Sequence, residues 1–347
     1  MINKKNNHLL ISGLYRSGSG LLTCILNANQ SVSASTDIIK YWSFCYGRYP
    51  ILNETNYLEM LKELVWRLKA RFSIEIDLDS VVHEVGSNIS HSAIYDAVLS
   101  DVFSMDKESY IRGECESLIW SKVPYFIDQC KNPKVISIVR DPHDVLVSFK
   151  KNTIAPEPLY LVTIFNTLGY LQSVLKYKQQ FQGDFLYVRY EDLKKNMVDE
   201  VQRICDFLDI EFSHSMLDSS NWTKLSNHKW LPWENLERSS FKENHELKVN
   251  PVGRWRDLIS ESDHFLCEWT NKTVLEEFGY DSTFKNGSPE LLKTELLKLL
   301  DNELLSSCLY DFVSDNKGSE KYPIDPFLPE NWDKRFIDNP EIAFSKV

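Results

Sequence analysis

The stretch HLLISGLYRSGSGLLTCILNA, from His8 to Ala28, decides the fold. Its apolar start predicts a buried strand over Leu9–Ser12, a loop of Gly, Arg and Ser follows, and Gly20–Ala28 has the pattern of a helix. A loop between a strand and a helix N-terminus can bind a phosphate through its backbone amides. The alternative is a plain Gly/Ser-rich turn before a helix.

This loop differs from the usual nucleoside-triphosphate loop in one place. Gly13 and Gly18 have the separation of the G-x-x-x-x-G-K-[ST] pattern, but Ser19-Gly20 stands where a Lys and a Ser or Thr are expected. The missing Lys would bind β- and γ-phosphates, and the missing hydroxyl would bind Mg²⁺. The backbone amides of Ser17–Leu21 can still hold an anion, so the loop predicts a 5′-phosphate site without a triphosphate tail.

The stretch KVISIVRDPHDVLVSFKK, which starts at residue 134, predicts a second anion-binding element. Arg140 follows a strand over Lys134–Val139, and Ser148 lies on a helix that begins near Pro142, with Asp141 as its N-cap. Ligands of open α/β sheets bind at the carboxyl ends of the strands. Arg offers a planar fork of donors and Ser adds a hydroxyl, so Arg140 and Ser148 are candidate phosphate ligands.

The rest of the chain alternates strands and helices. A further strand is predicted over Asp184–Tyr190, and helices are predicted over Tyr57–Phe72, His91–Met105, Leu159–Phe181, Val198–Leu208 and Ser262–Phe278. This alternation predicts an α/β fold with one main domain, residues 1–283, whose parallel sheet is flanked by helices on both faces. Residues 284–347 are expected to form one more helix, Ser288–Leu305, and an extended tail that packs on the main domain.

Composition excludes several classes of function. The chain has 347 residues, 43% of them hydrophobic, and a net charge of −11, which argues for a globular domain and against a nucleic-acid partner. No apolar run approaches the ~18 residues of a membrane span, and the short polar start is not the pattern expected of a signal peptide. The seven cysteines form no CxxC pair and show no metal-ligand spacing, which predicts reduced thiols, a cytoplasmic protein and no bound metal.

Taken together, these stretches resemble the family of sulfotransferases that use 3′-phosphoadenosine-5′-phosphosulfate (PAPS) as sulfuryl donor. LYRSGSGLL is similar to the 5′-phosphosulfate loop of this P-loop-type fold and VRDPHDVLVSF to its 3′-phosphate motif, while VRYEDL, ICDFLDIEF, VGRWRD and EEFGY follow in the expected order. The resemblance covers roughly residues 8–281 and includes the bacterial, carbohydrate and tyrosyl-protein branches. It implies a metal-independent enzyme that consumes PAPS, releases 3′-phosphoadenosine-5′-phosphate (PAP) and sulfates a hydroxyl or amine of a small molecule or carbohydrate.

The resemblance also assigns residues to the donor site. Those expected to bind PAPS are Arg16, Ser17, Gly18, Ser19, Gly20, Leu21, Arg140, Ser148, Tyr190, Ser239 and Arg254. Arg16 is also expected to stabilise the charge that develops on the departing 5′-phosphate, the alternative being an exposed loop residue. Lys122, in WSKVPYF, fits the second cation of the family, with a solvated surface lysine as its alternative. Pro124 stands where the cytosolic branch has a histidine, so no base is expected there.

Asp37, in SASTDIIKYW, is the candidate base for the acceptor. It lies 21 residues beyond Arg16, at the position where the tyrosine-sulfating branch has a glutamate. A helix N-cap before IIKYW is the other interpretation. Glu114 and Glu116 are second candidates for the base, with plain surface charge as their alternative, whereas Glu191 and its neighbour Asp192 are expected to cap or brace the structure.

Some questions stay open at the level of sequence. A P-loop nucleotide or small-molecule kinase shares the strand–loop–helix geometry but needs the missing Lys-Ser/Thr pair, and a non-catalytic PAP-binding protein needs only the donor motifs. The acceptor is not identified, no membrane partner is expected, and a homodimer is left open. Four aromatic residues are candidates for lining the acceptor cleft, each with a place in the core as its alternative: Tyr41, Trp42, Trp230 and Trp233.

Overall fold

A parallel sheet forms the centre of the protein. The computed structural model describes residues 7–104, 109–117, 119–152, 157–226, 229–232, 251–283 and 288–322. The strands within these ranges are β1 (Asn7–Gly13), β2 (Val32–Thr36), β3 (Ile111–Ser117), β4 (Lys134–Val139), β5 (Phe185–Arg189), β6 (Thr223–Ser226) and β7 (Lys229–Pro232). The first five form one sheet of parallel neighbours in the order β2-β3-β1-β4-β5, and β6 and β7 form an antiparallel pair.

Helices surround this sheet. The described α-helices are α1 (Ser19–Asn27), α2 (Asn56–Phe72), α3 (Leu78–Val85), α4 (His91–Val102), α5 (Val123–Gln129), α6 (Pro142–Asn152), α7 (Val162–Gln180), α8 (Tyr190–Lys195), α9 (Met197–Leu208), α10 (Trp255–Leu258), α11 (Glu261–Phe278), α12 (Pro289–Leu300) and α13 (Glu303–Asp315). A π-helical turn covers Tyr41–Tyr46, and a 3₁₀ turn covers Trp120–Lys122.

Strand β1 is central because it is apolar on both faces. Leu9, Leu10 and Ile11 are fully buried, and successive side chains of a strand point to opposite faces of the sheet. Leu10 packs in a cluster with residues of α2, α4 and α7, whereas Leu9 and Ile11 pack in a second cluster with residues of α1 and α9. Helices therefore cover both faces, which confirms the predicted α/β fold with a parallel sheet.

The strand order decides what flanks the loop after β1. Because β1 lies between β3 and β4, Gly13 at its end pairs with Ser117 on one side and with Ile138 on the other. Arg140 directly follows β4, so it begins the connection on the β4 side of the loop. The carboxyl ends of the strands form the ligand-binding edge of an open parallel sheet, and the candidate site lies at this edge.

The C-terminal part contains two helices where the sequence predicted one over Ser288–Leu305. The chain turns after α12, and the Asn302 side chain caps α13 by accepting a hydrogen bond from the Leu305 nitrogen. The apolar faces of both helices pack in one cluster with residues of α7 and α11. The single-helix prediction was wrong because the apolar pattern continues across the turn between the two helices. The capping residue Asn302 is what marks the start of the second helix.

Residues 316–322 continue along α7. Gly318 crosses Gly169 so closely that a Cβ on Gly318 would lie 1.8 Å from the Gly169 nitrogen. The Asn166 side-chain oxygen accepts from the Ser319 hydroxyl at 2.6 Å and from the Lys321 nitrogen at 3.2 Å. The rest of the predicted tail, residues 323–347, lies outside the described residues. Among the described helices, none combines the length and the apolar character that crossing a membrane requires.

Candidate functional site

The loop between β1 and α1 leaves the N-terminus of the helix open. Ser17 closes the turn, with its nitrogen 3.0 Å and its hydroxyl 2.6 Å from the Leu14 carbonyl oxygen. Gly18 has a φ of 102°, and a Cβ at this position would lie 2.4 Å from the Tyr190 ring. Within the described residues no side chain caps α1, and its first turn has no acidic residue. Its first amides, from Ser19 to Leu21, therefore face an anion-binding position.

Three arginines meet beside this loop. Arg16 Nε donates to Ser148 Oγ at 3.1 Å, and Arg140 Nη1 donates to the Arg16 carbonyl oxygen at 2.8 Å. The Arg140 guanidinium also lies over the Tyr190 ring, 4.6 Å from its centroid. Arg254 interacts electrostatically with both other arginines. The structure thus brings together five of the residues that the sequence predicted as donor ligands.

Asp144 of α6 fixes the segment that carries Arg254. Its carboxylate accepts from the Gly253 nitrogen at 2.7 Å and from the Trp255 nitrogen at 3.1 Å. The Trp255 indole nitrogen donates to Asp141 Oδ2 at 3.0 Å. Two carboxylates of the RDPHD stretch therefore hold the GRW stretch, which explains how two distant sequence motifs form one site.

The arginine cluster carries excess positive charge. Burial, followed by Arg140 and Arg254, lowers the pKa of Arg16 below its usual value, and burial followed by Arg140 lowers the pKa of Arg254. The buried Nε atoms of Arg140 and Arg254 have no hydrogen-bond partner among the described residues. A phosphate dianion between these guanidiniums would relieve their repulsion and accept the missing hydrogen bonds. The cluster therefore fits the 3′-phosphate that the resemblance implies.

Glu191 and Asp192 brace this end of the sheet, as predicted. Glu191 accepts from the Asp141 nitrogen at 2.9 Å and from the Tyr280 hydroxyl at 3.1 Å. Asp192 lies 3.4 Å from Arg189 Nη1. Glu191 therefore ties the segment after β5 to the start of α6, whereas Asp192 pairs with Arg189 at the end of β5.

Asp37 and Lys40 lie on the other side of the loop. Asp37 accepts from the Ser117 nitrogen at 3.0 Å and from the Ser117 hydroxyl at 3.1 Å, and its Oδ1 lies 3.3 Å from Lys40 Nζ. A Cβ on Gly20, in the first turn of α1, would lie 3.9 Å from Thr36, so the end of β2 lies against the anion-binding helix. The structure therefore places Asp37 beside the loop, on the side away from the arginines.

The electrostatic surroundings of Asp37 favour its ionised form. Burial alone would raise its pKa, but Lys40 and the hydrogen bonds from Ser117 outweigh burial, so the pKa of Asp37 lies below its usual value. The interpretation of Asp37 as a helix N-cap is wrong, because the helical turn Tyr41–Tyr46 begins after Lys40 and the Asp37 side chain bonds to Ser117 instead.

Glu114 and Glu116 are fully buried, so the interpretation as surface charge is wrong. Glu114 accepts from the backbone nitrogens of Lys40 at 2.7 Å and Tyr41 at 3.1 Å, and Glu116 accepts from the Trp42 nitrogen at 3.1 Å. Burial raises the pKa of Glu116 to about 7, and burial and the neighbouring carboxylate raise that of Glu114 well above its usual value. These side chains hold the backbone that follows Asp37.

The structure describes three of the four aromatic residues that were candidates for lining the acceptor cleft. Tyr41 and Trp42 are fully buried, which agrees with the interpretation of each as a core residue and not with a place in the acceptor cleft. Trp230 lies on β7, and Trp233 lies outside the described residues. Ser239, a predicted donor ligand, also lies outside them.

Lys122 lies on the 3₁₀ turn that follows β3. Its ammonium is 5.7 Å from the centroid of the Tyr125 ring, and it interacts electrostatically with Glu320. Among the described residues, the structure gives Lys122 no contact with the loop, Arg140 or Ser148. Its role as the second cation stays a prediction, and the geometry does not bring it to the arginine cluster.

A further charged cluster lies behind Trp255. The His143 ring stacks on Trp255 with centroids 4.3 Å apart, its Nδ1 lies 2.8 Å from Asp141 Oδ1, and its Nε2 lies 3.6 Å from Glu268 Oε1. Burial lowers the pKa of His143, but the hydrogen bonds and charges of Asp141 and Glu268 outweigh burial and raise it to about 9.

This cluster also has the arrangement of a metal site, because ligand atoms of His143, His264 and Glu268 lie within 4.8 Å of one another. A metal ion would require neutral His143. The imidazolium between two carboxylates accounts for the arrangement as an ion-pair network.

Sequence reasoning missed Asp144 and Lys40. Asp144 carries a signal, since it stands four residues after Arg140, and its Oδ2 lies 4.0 Å from Arg140 Nη2. Lys40 carries none, because its neighbours Tyr15 and Glu114 are distant in sequence.

Comparison with known proteins agrees with this geometry. The family model described as sulfotransferase domain matches residues 6–274, so the chain belongs to the sulfotransferase domain family. Rat (Rattus norvegicus) sulfotransferase 2A1 is 27% identical over 158 residues, which are 38% of this chain and 54% of the relative. Mouse (Mus musculus) sulfotransferase 2B1 is 25% identical over 185 residues, 45% of this chain and 53% of the relative. The chain thus spans about half the length of the curated relatives it matches.

Solved structures share the fold. The sulfotransferase domain of the Synechococcus PCC 7002 olefin synthase has a TM-score of 0.53 at 17% identity, and the match covers 80% of this chain and 96% of that domain. The sulfotransferase domain from the curacin biosynthetic pathway has a TM-score of 0.52 at 18% identity, with 79% and 98% covered. The predicted family and the predicted fold are therefore both confirmed.

Proposed function

We propose that this protein is a PAPS-dependent sulfotransferase that sulfates a hydroxyl or amine of a small molecule or carbohydrate. The observation that carries the proposal is the meeting of Arg16, Arg140 and Arg254 beside an uncapped helix N-terminus. The arginine cluster or the helix N-terminus alone would suit many phosphate compounds. Both anion-binding sites side by side suit a nucleotide that carries an anionic group at both the 3′ and the 5′ position of its ribose.

The chain supplies binding and charge, and the nucleotide supplies the reactive group. When bound, PAPS provides a sulfuryl group whose S–O bond to the 5′-phosphate breaks with the electron pair on the phosphate oxygen, while a new S–O bond to the acceptor forms and the acceptor proton passes to a base. Arg140, Arg254 and Ser148 bind the 3′-phosphate, and the amides of α1 hold the 5′ end. Arg16 is the candidate for stabilising the departing phosphate, and Asp37 is the candidate base.

Two alternatives make different demands on the site. A kinase needs a lysine for β- and γ-phosphates followed by a hydroxyl for Mg²⁺, but Ser19 and Gly20 stand at these two positions. Activity that survives EDTA supports the sulfotransferase, whereas a strict Mg²⁺ requirement favours the kinase. A non-catalytic PAP-binding protein would bind PAP but release no sulfate from PAPS.

The wider organisation is part of the same proposal. Residues 1–283 form the sulfotransferase domain and residues 284–347 an extension that packs on it, which the contacts of α12 and α13 with α7 and α11 support. A cytoplasmic location is supported by seven cysteines that are all buried and unpaired.

Ligand-dependent thermal stability tests the donor site. PAP at ~100 times its Kd should stabilise the protein by about 2.7 kcal/mol, and ATP at the same concentration should stabilise it far less. Arg140→Ala should weaken PAP by about tenfold to a hundredfold, because a charged hydrogen-bond partner of the 3′-phosphate is lost. Adenosine 5′-phosphosulfate, which has no 3′-phosphate, should bind both proteins alike.

The matched control is Lys131→Ala, since Lys131 is an exposed cation outside the site. It should bind PAP as the wild type does. Equal stabilisation by ATP and PAP, or an Arg140→Ala variant with unchanged PAP affinity, would refute the proposed donor site.

A further inference from the structure

Lys40 brings an ammonium to the side chain of Tyr15, a residue of the phosphate-binding loop. Its Nζ lies 3.4 Å from the hydroxyl of Tyr15, the loop residue next to Arg16, and 3.3 Å from Asp37 Oδ1. The Lys40 side chain is only 13% exposed. Because β3 and β2 lie on the other side of β1 from β4, the loop has a cation on each flank.

The backbone that carries Lys40 is held in an unfavourable conformation. Asp37 has a φ of 53° and Lys40 a φ of 52°. Aspartate tolerates this left-handed region, but a lysine rarely adopts it. Such conformations persist where surrounding structure imposes them, and they concentrate at functional sites.

The surrounding structure here consists of buried side chains that hydrogen-bond to the backbone of this segment. Arg67, 2% exposed, donates to the carbonyl oxygens of Ile38 at 2.6 Å and Ile39 at 2.8 Å. Glu114, fully buried, accepts from the nitrogen of Lys40 at 2.7 Å. Burying polar side chains is unfavourable unless they are hydrogen-bonded, so these contacts hold the segment in this conformation. The backbone of Lys40 is therefore held by Arg67 at the two preceding carbonyl groups and by Glu114 at its own nitrogen.

The charge of Lys40 is secure. Burial would lower its pKa, but Tyr15 and Asp37 outweigh burial and raise the pKa above its usual value. An ammonium has three donors, and the contacts of the described residues use two of them, toward Asp37 and Tyr15. A third donor is left for an anion at the loop.

We propose that Lys40, and not Lys122, is the second cation of the donor site, and that its ammonium contacts the sulfuryl end of bound PAPS. Asp37 and Tyr15 orient it. The Lys40 ammonium donates to oxygens of the nucleotide and thereby stabilises the negative charge that develops on the departing 5′-phosphate. It keeps its proton throughout. This inference rests on the proposed function, because it assigns a residue to the same donor site.

Comparing PAPS with PAP tests the assignment, since the two nucleotides differ by the sulfuryl group alone. Lys40→Met should weaken PAPS about tenfold or more relative to PAP, measured by thermal shift or calorimetry. Lys122→Met, the matched control, should keep the wild-type ratio of the two affinities. Release of labelled sulfate from ³⁵S-PAPS to water should fall ~100-fold in Lys40→Met and stay near the wild-type rate in Lys122→Met.

Lys40→Gln is the second variant in case the methionine disturbs folding, because glutamine can still donate to Asp37. It should show the same loss of PAPS affinity relative to PAP. Its melting temperature in the absence of ligand should fall, because Asp37 loses its charged partner, and binding of PAP shows that the variant is folded. A wild-type affinity ratio in a folded Lys40 variant, or a loss in Lys122→Met instead, overturns the assignment. Failure of the wild type to bind PAP would instead overturn the proposed function.

Discussion

At the end of β2, Asp37 faces Lys40 and Ser117, and these neighbours decide what its carboxylate can do. A general base is most effective when its pKa lies near the working pH, whereas Lys40 and Ser117 hold the pKa of Asp37 below its usual value despite burial. Asp37 is therefore ionised at neutral pH and ready to accept a proton, but it is a weak base. It suits an acceptor that becomes acidic as the new bond forms.

Asp37→Asn tests this role. If Asp37 is the base, sulfuryl transfer should slow by ~10²–10⁴-fold while PAP affinity stays nearly unchanged, since asparagine keeps the shape but not the basicity. Because the pKa of Asp37 lies below its usual value, the rate of the wild type should stay constant through neutral and mildly acidic pH and fall only in stronger acid, as Asp37 takes up a proton. This decline should be absent in the variant. Rates are measured as PAP release from PAPS with a phenol panel as acceptor.

Ser117→Ala is the matched control, because it removes one hydrogen bond to Asp37 and leaves the carboxylate. An Asp37→Asn variant with a normal rate and melting temperature would eliminate Asp37 as the base. Glu116 would then be the next candidate, since its pKa is raised by burial to about 7.

Among the secondary-structure elements, those with local apolar patterns were predictable and those with distant partners were not. The strand KVISIV is β-branched and apolar, and the prediction of Lys134–Val139 was confirmed to the residue. Strands β2 (VSAST) and β3 (IRGECES) were not predicted, because their polar residues are buried against other parts of the chain. The donor motifs were recognisable because each lies on one continuous strand–loop–helix segment. The position of Lys40 was not, because it is fixed by Glu114 of β3, which is distant in sequence.

The junction of α6 with α10 and α11 should make stability depend on pH through His143. Its pKa of about 9 in the folded protein exceeds the value of ~6.5 expected in the unfolded chain. Its stabilising contribution is therefore fully present below about pH 6.5 and is lost as the pH rises through about 9. The free energy of unfolding from urea titrations should decline over this interval by roughly 3 kcal/mol.

His143→Gln removes the titrating group and keeps a hydrogen-bond donor, so its stability should change much less between pH 6.5 and 9. His214→Gln is the control, since His214 is on a separate 3₁₀ turn, His214–Leu217. Parallel stability curves for the wild type and His143→Gln would contradict the ion-pair network.

For the whole molecule, the question is how the C-terminal extension is joined to the sheet domain. The family match ends at residue 274, yet α12, α13 and residues 316–322 pack on α7 and α11. Tyr322 interacts electrostatically with Tyr15 of the phosphate-binding loop. Tyr322, the last described residue, therefore lies in the electrostatic neighbourhood of this loop.

Gly318→Ala tests this attachment. A methyl group there would lie 1.8 Å from the Gly169 nitrogen, so one of the two backbones must move. We expect a loss of about 1–3 kcal/mol in the free energy of unfolding, typical of overpacking. Lys317→Ala, at an exposed neighbouring position, should change it by less than about 0.5 kcal/mol. Equal melting temperatures for the wild type and Gly318→Ala would show that the extension is not held at this crossing.

The three converging arginines have a practical consequence for anyone handling the protein. With Arg16, Arg140 and Arg254 repelling one another, the nucleotide-free protein will take up multivalent anions from its medium. Phosphate or sulfate buffers will raise its melting temperature and compete with PAP, whereas chloride at equal ionic strength will do so much less. Affinities for nucleotides are therefore comparable only between samples prepared in the same anion.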